Sequence, residues 1–495
     1  MPVVILSRRE GAEAALCCDV LSVAKEPGRA DDPFTSFRAA EAAVSDSFMP
    51  QHETGIGFWV RAALLNSRRR VYSRPVQNGF TTDMHEIRLE DLDLASIIRP
   101  GDHIVWGAGP PALVAKLLEQ RSGIGFADVF LAGGRIRPDQ VDSLRFTSFG
   151  AMGNRALARA GVLHVIPAHL SALNPWLENG TLRADVVFVQ LSAPDEEGRY
   201  SFGTAHDYAP AAMRHARVVI AEVNDQLPWT FCEPPVDPSR LDIIVRTSRR
   251  PGQLEAEPVG ELEEQIARHV AHYIEDGSTI QIGIGAIPDA VLAGVGDRHD
   301  LGIHSGLITD RIAGLIEEGV VTNARKPLDT GITTTAVLAG TNRLYSFANK
   351  NRAIRLFTYA HTHNLRVLCR LDKFVAINSA VEVDVTGQVN AEIASGVYVG
   401  GTGGQGDFVR GAMMAERGHS IIALPSTARE GAVSRIVSVL KDVPITTPRS
   451  DADIVVTEFG AAELRGQPLD ERIRRMIAIT HPKFRDALQC EARAL

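Results

Sequence analysis

GSTIQIGIGAIPDAVLAGVGDRHDLGIHSGLITD, residues 277–310, reads as a strand, a glycine turn, a helix, a second strand and a second helix. Ser278–Ile284 alternates polar and apolar residues with β-branched positions, the pattern of a strand. Gly283 and Gly285 allow the backbone to turn tightly at its end. Pro288 suits the first turn of a helix expected over Asp289–Val295, because an N–H there has no intrahelical partner. Leu301–Ser305 is a second short apolar run, and Ile308–Glu318 has helical spacing. This is a βαβ unit. In open α/β sheets ligands bind beyond the strand ends, with anionic groups favoured at helix N-termini. Gly283–Pro288 and His304–Gly306 are therefore expected side by side at one sheet edge, and the active site with them.

Working outward, 495 residues exceed one ordinary domain, so two or three are expected. Hydrophobic residues make up 45% of the chain, yet no apolar run approaches the length of a membrane span, so a membrane protein is not expected. The net charge of −8 is spread along the chain without a basic stripe, which argues against nucleic-acid binding. Cys17, Cys18, Cys232, Cys369 and Cys490 are odd in number and lack C-x-x-C spacing. That suits a reduced compartment and neither a disulfide framework nor a zinc site. The N-terminus lacks a charged segment followed by a long apolar core, so the cytoplasm is the expected location. Residues 1–78 fit either a loosely attached extension or a small helical cap, with Arg68–Arg70 as solvated surface.

From about residue 79 the chain echoes itself. GDHIVWGAGPPALVA (101–115) parallels GSTIQIGIGAIPDAV (277–291), and VVFVQLSAPDEEGRYSFG (187–203) parallels FVAINSAVEVDVTGQVN (374–390). ARVVIAEV (216–223) parallels ADIVVTEF (452–459), setting Glu222 against Glu458. Three matched segments in unchanged order argue for two homologous α/β domains, 79–235 and 255–495, joined through the Pro-rich stretch Pro228–Pro258. Neither GAGPPA (107–112) nor GIGAIP (283–288) completes G-x-G-x-x-G, and there is no P-loop, so nucleotide-binding motifs are excluded. His361 and His363 are two residues apart and share a face if extended; without an evident third ligand they read as a solvated or packed pair.

HVIPAHLS (164–171), IAEVNDQLPWTF (220–231), GIGAIPDAV (283–291), LGIHS (301–305), INSAVEVDVTGQVNAE (377–392), GGTGGQGDFVRGA (400–412) and VVTEFGAAELRG (455–466) together resemble the acetyl-CoA hydrolase/transferase family. ALPSTA (423–428) and AITHPKFR (478–485) extend the likeness, which covers roughly residues 80–490. The resemblance implies two open α/β domains of CoA-transferase type with the active site in the cleft between them. It implies an acyl-CoA thioester as substrate, a small carboxylate as possible co-substrate and no permanently bound cofactor; a homodimer is possible. Gly401, Gly403, Gly404 and Gln405, with Gly283 and Gly285, are the expected CoA-binding positions. Gly404 corresponds to a glycine whose N–H stabilises the thioester oxyanion, and Asn364 to an asparagine that assists it. Glu458 matches an active-site glutamate, while Glu222 is expected to be structural.

One position departs from the pattern. The family nucleophile is a glutamate directly after LGIH(S/T), and here the residue is Gly306. Glycine forms no covalent intermediate. The reading that follows is direct hydrolysis, with Glu458 or His304 as general base. Glu382 or Asp384 as a substitute nucleophile, hydrolytic C–C cleavage of a β-oxoacyl-CoA, and a CoA-binding non-enzyme are the alternatives.

Overall fold

The computed structural model describes residues 85–492 apart from positions 135 and 152. The expected extension 1–78, with Arg68–Arg70, Cys17 and Cys18, lies outside the described residues.

Two open sheets organise the chain. The first is parallel throughout and is built from β1 (His85–Ile87), β2 (His103–Ala108), β3 (Ala127–Gly133), β4 (Leu144–Ser148), β5 (Leu163–Val165), β6 (Val186–Ser192), β7 (Val218–Asn224) and β8 (Ile243–Thr247). Its strand order is β1-β8-β7-β6-β2-β3-β4-β5. The second comprises β9 (Thr279–Ile282), β10 (Gly302–Ile303), β11 (Phe374–Asn378), β12 (His419–Ala423), β13 (Ile454–Thr457) and β14 (Gly460–Glu463). Its order is β10-β9-β11-β12-β13-β14, and only the last pair is antiparallel.

Alternate residues of β11 enter different apolar clusters: Val375 and Ile377 join one, Phe374 and Ala376 another. A parallel sheet covered on both faces buries its polar positions too. That is why β9 is buried at all four residues, although its sequence alternates. Gln281 meets the need for a partner by accepting from Asn378 Nδ2 at 3.2 Å. The helix after β9 begins earlier than Asp289, at α2 (Ala286–Ala293), with Pro288 in its first turn. The helix expected over 308–318 is α3 (Asp310–Glu317).

Two of the three internal echoes hold in three dimensions. In both sheets the strand of the first pair (β2, β9) lies beside the strand of the second (β6, β11). The third pair does not hold: β7 adjoins β6, whereas β12 separates β13 from β11. By sheet position β7 corresponds to β12 and β8 to β13, so Glu222 and Glu458 are not equivalent. Hydrophobic strands ending in glutamate resemble one another too closely for sequence alone to register that slip. Glu222 is wholly buried and accepts from the backbone N–H of Ala112 at 2.8 Å, inside the first turn of α1 (Pro111–Ile124). It is a structural residue. The first sheet also outruns the expected boundary at 235, because β8 returns to it after Phe231–Glu233 has paired with Ile354–Phe357. Among the described residues no helix is long and apolar enough to cross a membrane.

Candidate active site

The βαβ reading is met where β9 and β10 end. These strands are parallel neighbours, and Ser305 Oγ donates to the Ile282 carbonyl at 3.1 Å, drawing the two loops together. Gly285, at φ +118°, adopts a backbone conformation that side chains disfavour. A Cβ placed on Gly283 would meet nothing within 4 Å, so that strand end is open to a ligand.

Gly306 lies beyond His304 and Ser305 and is half-buried. Its φ is outside the left-handed region, so the backbone does not require glycine there. Its neighbours decide the matter. A Cβ at 306 would meet His363 Cε1 at 3.0 Å, His363 Nε2 at 3.1 Å and Phe408 at 3.7 Å. A Cβ at Gly404 would meet the same Nε2 at 2.5 Å. The His363 imidazole therefore stands close to both Gly306 and Gly404. It is 1% exposed and clamped between aromatic rings, Tyr359 at 4.9 Å and Phe408 at 4.5 Å between centroids. Its Nδ1 bonds Thr362 Oγ1 at 2.8 Å. Burial pushes the imidazole down to about 3, so it is neutral at working pH.

The glycine loop 400–406 is fastened, not free. Ala151 N–H donates to the Gly400 carbonyl at 2.7 Å and Leu170 N–H to the Gly403 carbonyl at 3.0 Å. A Cβ at Gly401 would lie 2.5 Å from the Phe149 carbonyl oxygen, and one at Gly406 would lie 2.4 Å from the His169 ring. The close approach at Gly401 is thus to protein backbone, not to a ligand. Gly403 has φ +52°, the left-handed conformation expected of this loop. Gly404 is the N-cap of α5 (Gln405–Met414), whose first amides have no intrahelical acceptor. Gln405 donates to Thr447 Oγ1 at 3.0 Å. A cavity of about 250 Å³ lies against the loop, lined by His169, Thr402, Gly406 and Arg410 among others.

Other expected residues sit elsewhere. Asn364 caps the short helix α4 (Leu365–Leu368), accepting from Arg366 N–H at 3.0 Å and donating to the Ala360 carbonyl at 3.0 Å. One Nδ2 proton and the Oδ1 of Asn364 are thus committed to its own helical turn. Glu458 accepts from Ser426 N–H at 2.8 Å and from Ser426 Oγ at 2.5 Å. It follows β13, four places across the sheet from β10, and the described contacts do not bring it to Gly306. Asp384 is buried and saturated by Thr386 and Gln388 in a tight turn, and Glu382 accepts from Asn390 at 3.0 Å. His304 is fully buried with Nε2 3.2 Å from the Thr362 carbonyl; burial first, and then the Lys326 charge, hold it well below 6.5. A base needs an open path to water, which His304 lacks.

His361 and His363 part company because they sit on a helical turn, not a strand. His361 Nε2 bonds Asp329 Oδ2 at 2.9 Å, and His304 lies beside the pair. Asp329 also accepts from Thr334 Oγ1, which takes a hydrogen bond from the Lys326 ammonium at 2.9 Å. Lys326, pushed by burial down to about 7, is held there through Thr334, so His304, Asp329 and His361 belong to a hydrogen-bonded network behind the site. The sequence offered one signal for His363, the H-T-H run, but its helical setting hid which histidine faces the glycines.

The fold recurs in RipA from Yersinia pestis, at a TM-score of 0.78 and 32% identity, over 83% of this chain and 97% of that one. It recurs too in the 4-hydroxybutyrate CoA-transferase of Porphyromonas gingivalis, at a TM-score of 0.70 and 34% identity over 83% of this chain and 97% of that one, so the class is a CoA-transferase-like α/β fold. Residues 145–234 match the acetyl-CoA hydrolase/transferase N-terminal domain and residues 340–492 its C-terminal domain. The 4-hydroxybutyrate coenzyme A transferase of Clostridium kluyveri is 42% identical over 311 residues, 63% of this chain and 72% of that protein. The succinyl-CoA:cyclohexane-1-carboxylate CoA transferase of Geobacter metallireducens is 32% identical over 413 residues, 82% of this chain and 94% of that protein. The chain belongs to the acetyl-CoA hydrolase/transferase family.

Proposed function

We propose that this chain cleaves acyl-CoA thioesters with water, without a covalent protein–CoA intermediate. One observation carries the reading: at Gly306, the position matched to the family glutamate, there is no side chain, and the adjoining group is a neutral imidazole and not a carboxylate. Loss of a nucleophile costs about 10⁶ in turnover where measured, and the engaged states of Glu458, Glu382 and Asp384 support none of them as a replacement.

Water beside Gly306 adds to the thioester carbonyl carbon as its proton passes to solvent, and the π electrons move onto oxygen. The tetrahedral oxyanion then re-forms the C=O bond and breaks the C–S bond, expelling CoA thiolate, which takes up a proton from solvent to give the thiol and leaves the carboxylic acid. The Gly404 N–H, at the start of α5, suits the oxyanion, and each such donor contributes roughly 10²–10³ in rate. The open turn at Gly283 and Gly285 suits the anionic part of CoA. The relatives' transferase activities favour a second reading, in which another carboxylate of the chain takes up CoA.

A panel of acyl-CoA thioesters, assayed for free thiol with and without acetate or succinate, separates the two. Thiol release without an acceptor supports hydrolysis. Release that requires an acceptor establishes transfer instead, and binding without turnover would mark a CoA sensor.

A further inference from the structure

The oxyanion of a thioester calls for a second donor beside the Gly404 N–H, and one Nδ2 proton of Asn364 is already given to the Ala360 carbonyl. The adjoining Thr362–His363 pair offers another. Thr362 has one hydroxyl proton and two possible acceptors, the Thr358 carbonyl at 3.3 Å and His363 Nδ1 at 2.8 Å. A hydroxyl proton placed in the shorter contact makes Nδ1 the acceptor and leaves the ring proton on Nε2, whereas a proton on Nδ1 would leave the hydroxyl to donate to the Thr358 carbonyl; the proposal takes the first arrangement. That Nε2 has no hydrogen-bond partner among the described residues, although the side chain is almost wholly buried. It is aimed into the gap between Gly306 and the first free amides of α5, with Tyr359 and Phe408 holding the ring.

We propose that His363 is a catalytic residue whose Nε2–H, together with the Gly404 N–H, binds the thioester carbonyl oxygen and the oxyanion that follows. The assignment rests on the hydrolytic reading above and deepens it. The ring transfers no proton: it donates the same hydrogen bond before, during and after addition of water, and the bond strengthens as charge develops on oxygen. Low basicity suits this task, since an imidazolium at Nε2 would cost protonation of a buried ring, whereas a neutral imidazole donates with no change of charge. The site also explains both glycines. Any side chain at 404 would occupy the place of the Nε2–H, and any side chain at 306 would press on the ring.

The test compares native protein, His363→Ala and His363→Asn, with folding checked by urea unfolding and CoA affinity by calorimetry. His363→Ala is expected to lose roughly 10²–10³ in kcat with KM changed less than about threefold, because the donor acts on the transition state more than on bound substrate. His363→Asn, which keeps an N–H donor, is expected to recover most of that loss. Should His363→Ala fail to fold, ¹⁵N-histidine spectra of the native protein decide the matter. A protonated Nε2 whose resonance moves when a ketone analogue of the acyl-CoA binds supports the assignment, and a protonated Nδ1 overturns it. If native protein hydrolyses acyl-CoA and His363→Ala keeps pace, only the donor assignment falls. If native protein releases no thiol from any acyl-CoA, the functional reading falls and takes the assignment with it.

Discussion

A carboxylate at position 306 and an imidazole at 363 compete for one volume. The backbone at 306 tolerates a side chain, but the His363 ring stands 3.0 Å from where its Cβ would be. Gly306→Glu alone is therefore a poor route to transferase chemistry. Overpacking costs about 1–3 kcal/mol, so we expect roughly tenfold less glutamyl-CoA adduct from Gly306→Glu than from Gly306→Glu with His363→Asn, read by intact-protein mass spectrometry. Equal adduct from the two would show that the ring gives way freely. Asn364 makes the converse case. Its side chain caps α4, so Asn364→Ala is expected to lower stability by about 1 kcal/mol in urea while leaving kcat nearly unchanged. A drop in kcat of the order predicted for His363→Ala would return the oxyanion role to Asn364. The sequence held both residues in view within T-H-N, 362–364, and the difference between them is one of direction. A helical turn points neighbours to separate partners, and no spacing rule reveals which of two adjacent polar side chains meets a glycine 41 residues further along the chain.

Among the elements, the glycine loop and the polar network behind β10 set how rigid the site is. The loop 400–406 was legible as a close-approach segment, but the sequence did not say what approaches it. At Gly401 it is the Phe149 carbonyl, at Gly406 the His169 ring, and at Gly404 the His363 ring. Gly401→Ala should therefore destabilise the protein by about 1–3 kcal/mol through overpacking, and its KM for acyl-CoA should rise only as the loop shifts. A variant as stable as native would mean the loop is looser than described. Behind the site, burial pushes the Asp329 carboxyl up, but the bonds from His361 and Thr334 and the Lys326 charge outweigh it and hold the group well below the usual carboxylate range. A carboxyl lowered on folding lends stability above its unfolded pKa of about 3.9 and loses it as pH falls through the folded value. Asp329→Asn should thus cost about 2 kcal/mol at pH 7, between an exposed and a fully buried pair. The gap to native protein should narrow below about pH 4. A gap independent of pH would show that Asp329 acts by packing alone.

On the scale of the whole molecule, strand-turn-helix order was readable because each segment states its own pattern. Thr279–Ile282, the Gly283–Gly285 turn and the helix with Pro288 appear almost as the residues suggest. Sheet order was not readable, since it depends on which hydrophobic strand slides beside which, and VVIAEV and DIVVTE look alike to that question. Hence the misplaced equivalence of Glu222 and Glu458, and the boundary drawn before β8 rejoins the first sheet. The family motifs located the glycine at 306, and the fold then supplied what surrounds it. The most direct test is a single turnover of the native protein with an acyl-CoA in ¹⁸O-water and no carboxylate acceptor, followed by intact-protein mass spectrometry with and without borohydride. The account predicts one ¹⁸O in the released acid, free CoA, and protein of unchanged mass. Protein carrying CoA as a thioester, or no release until a carboxylate is added, would contradict it.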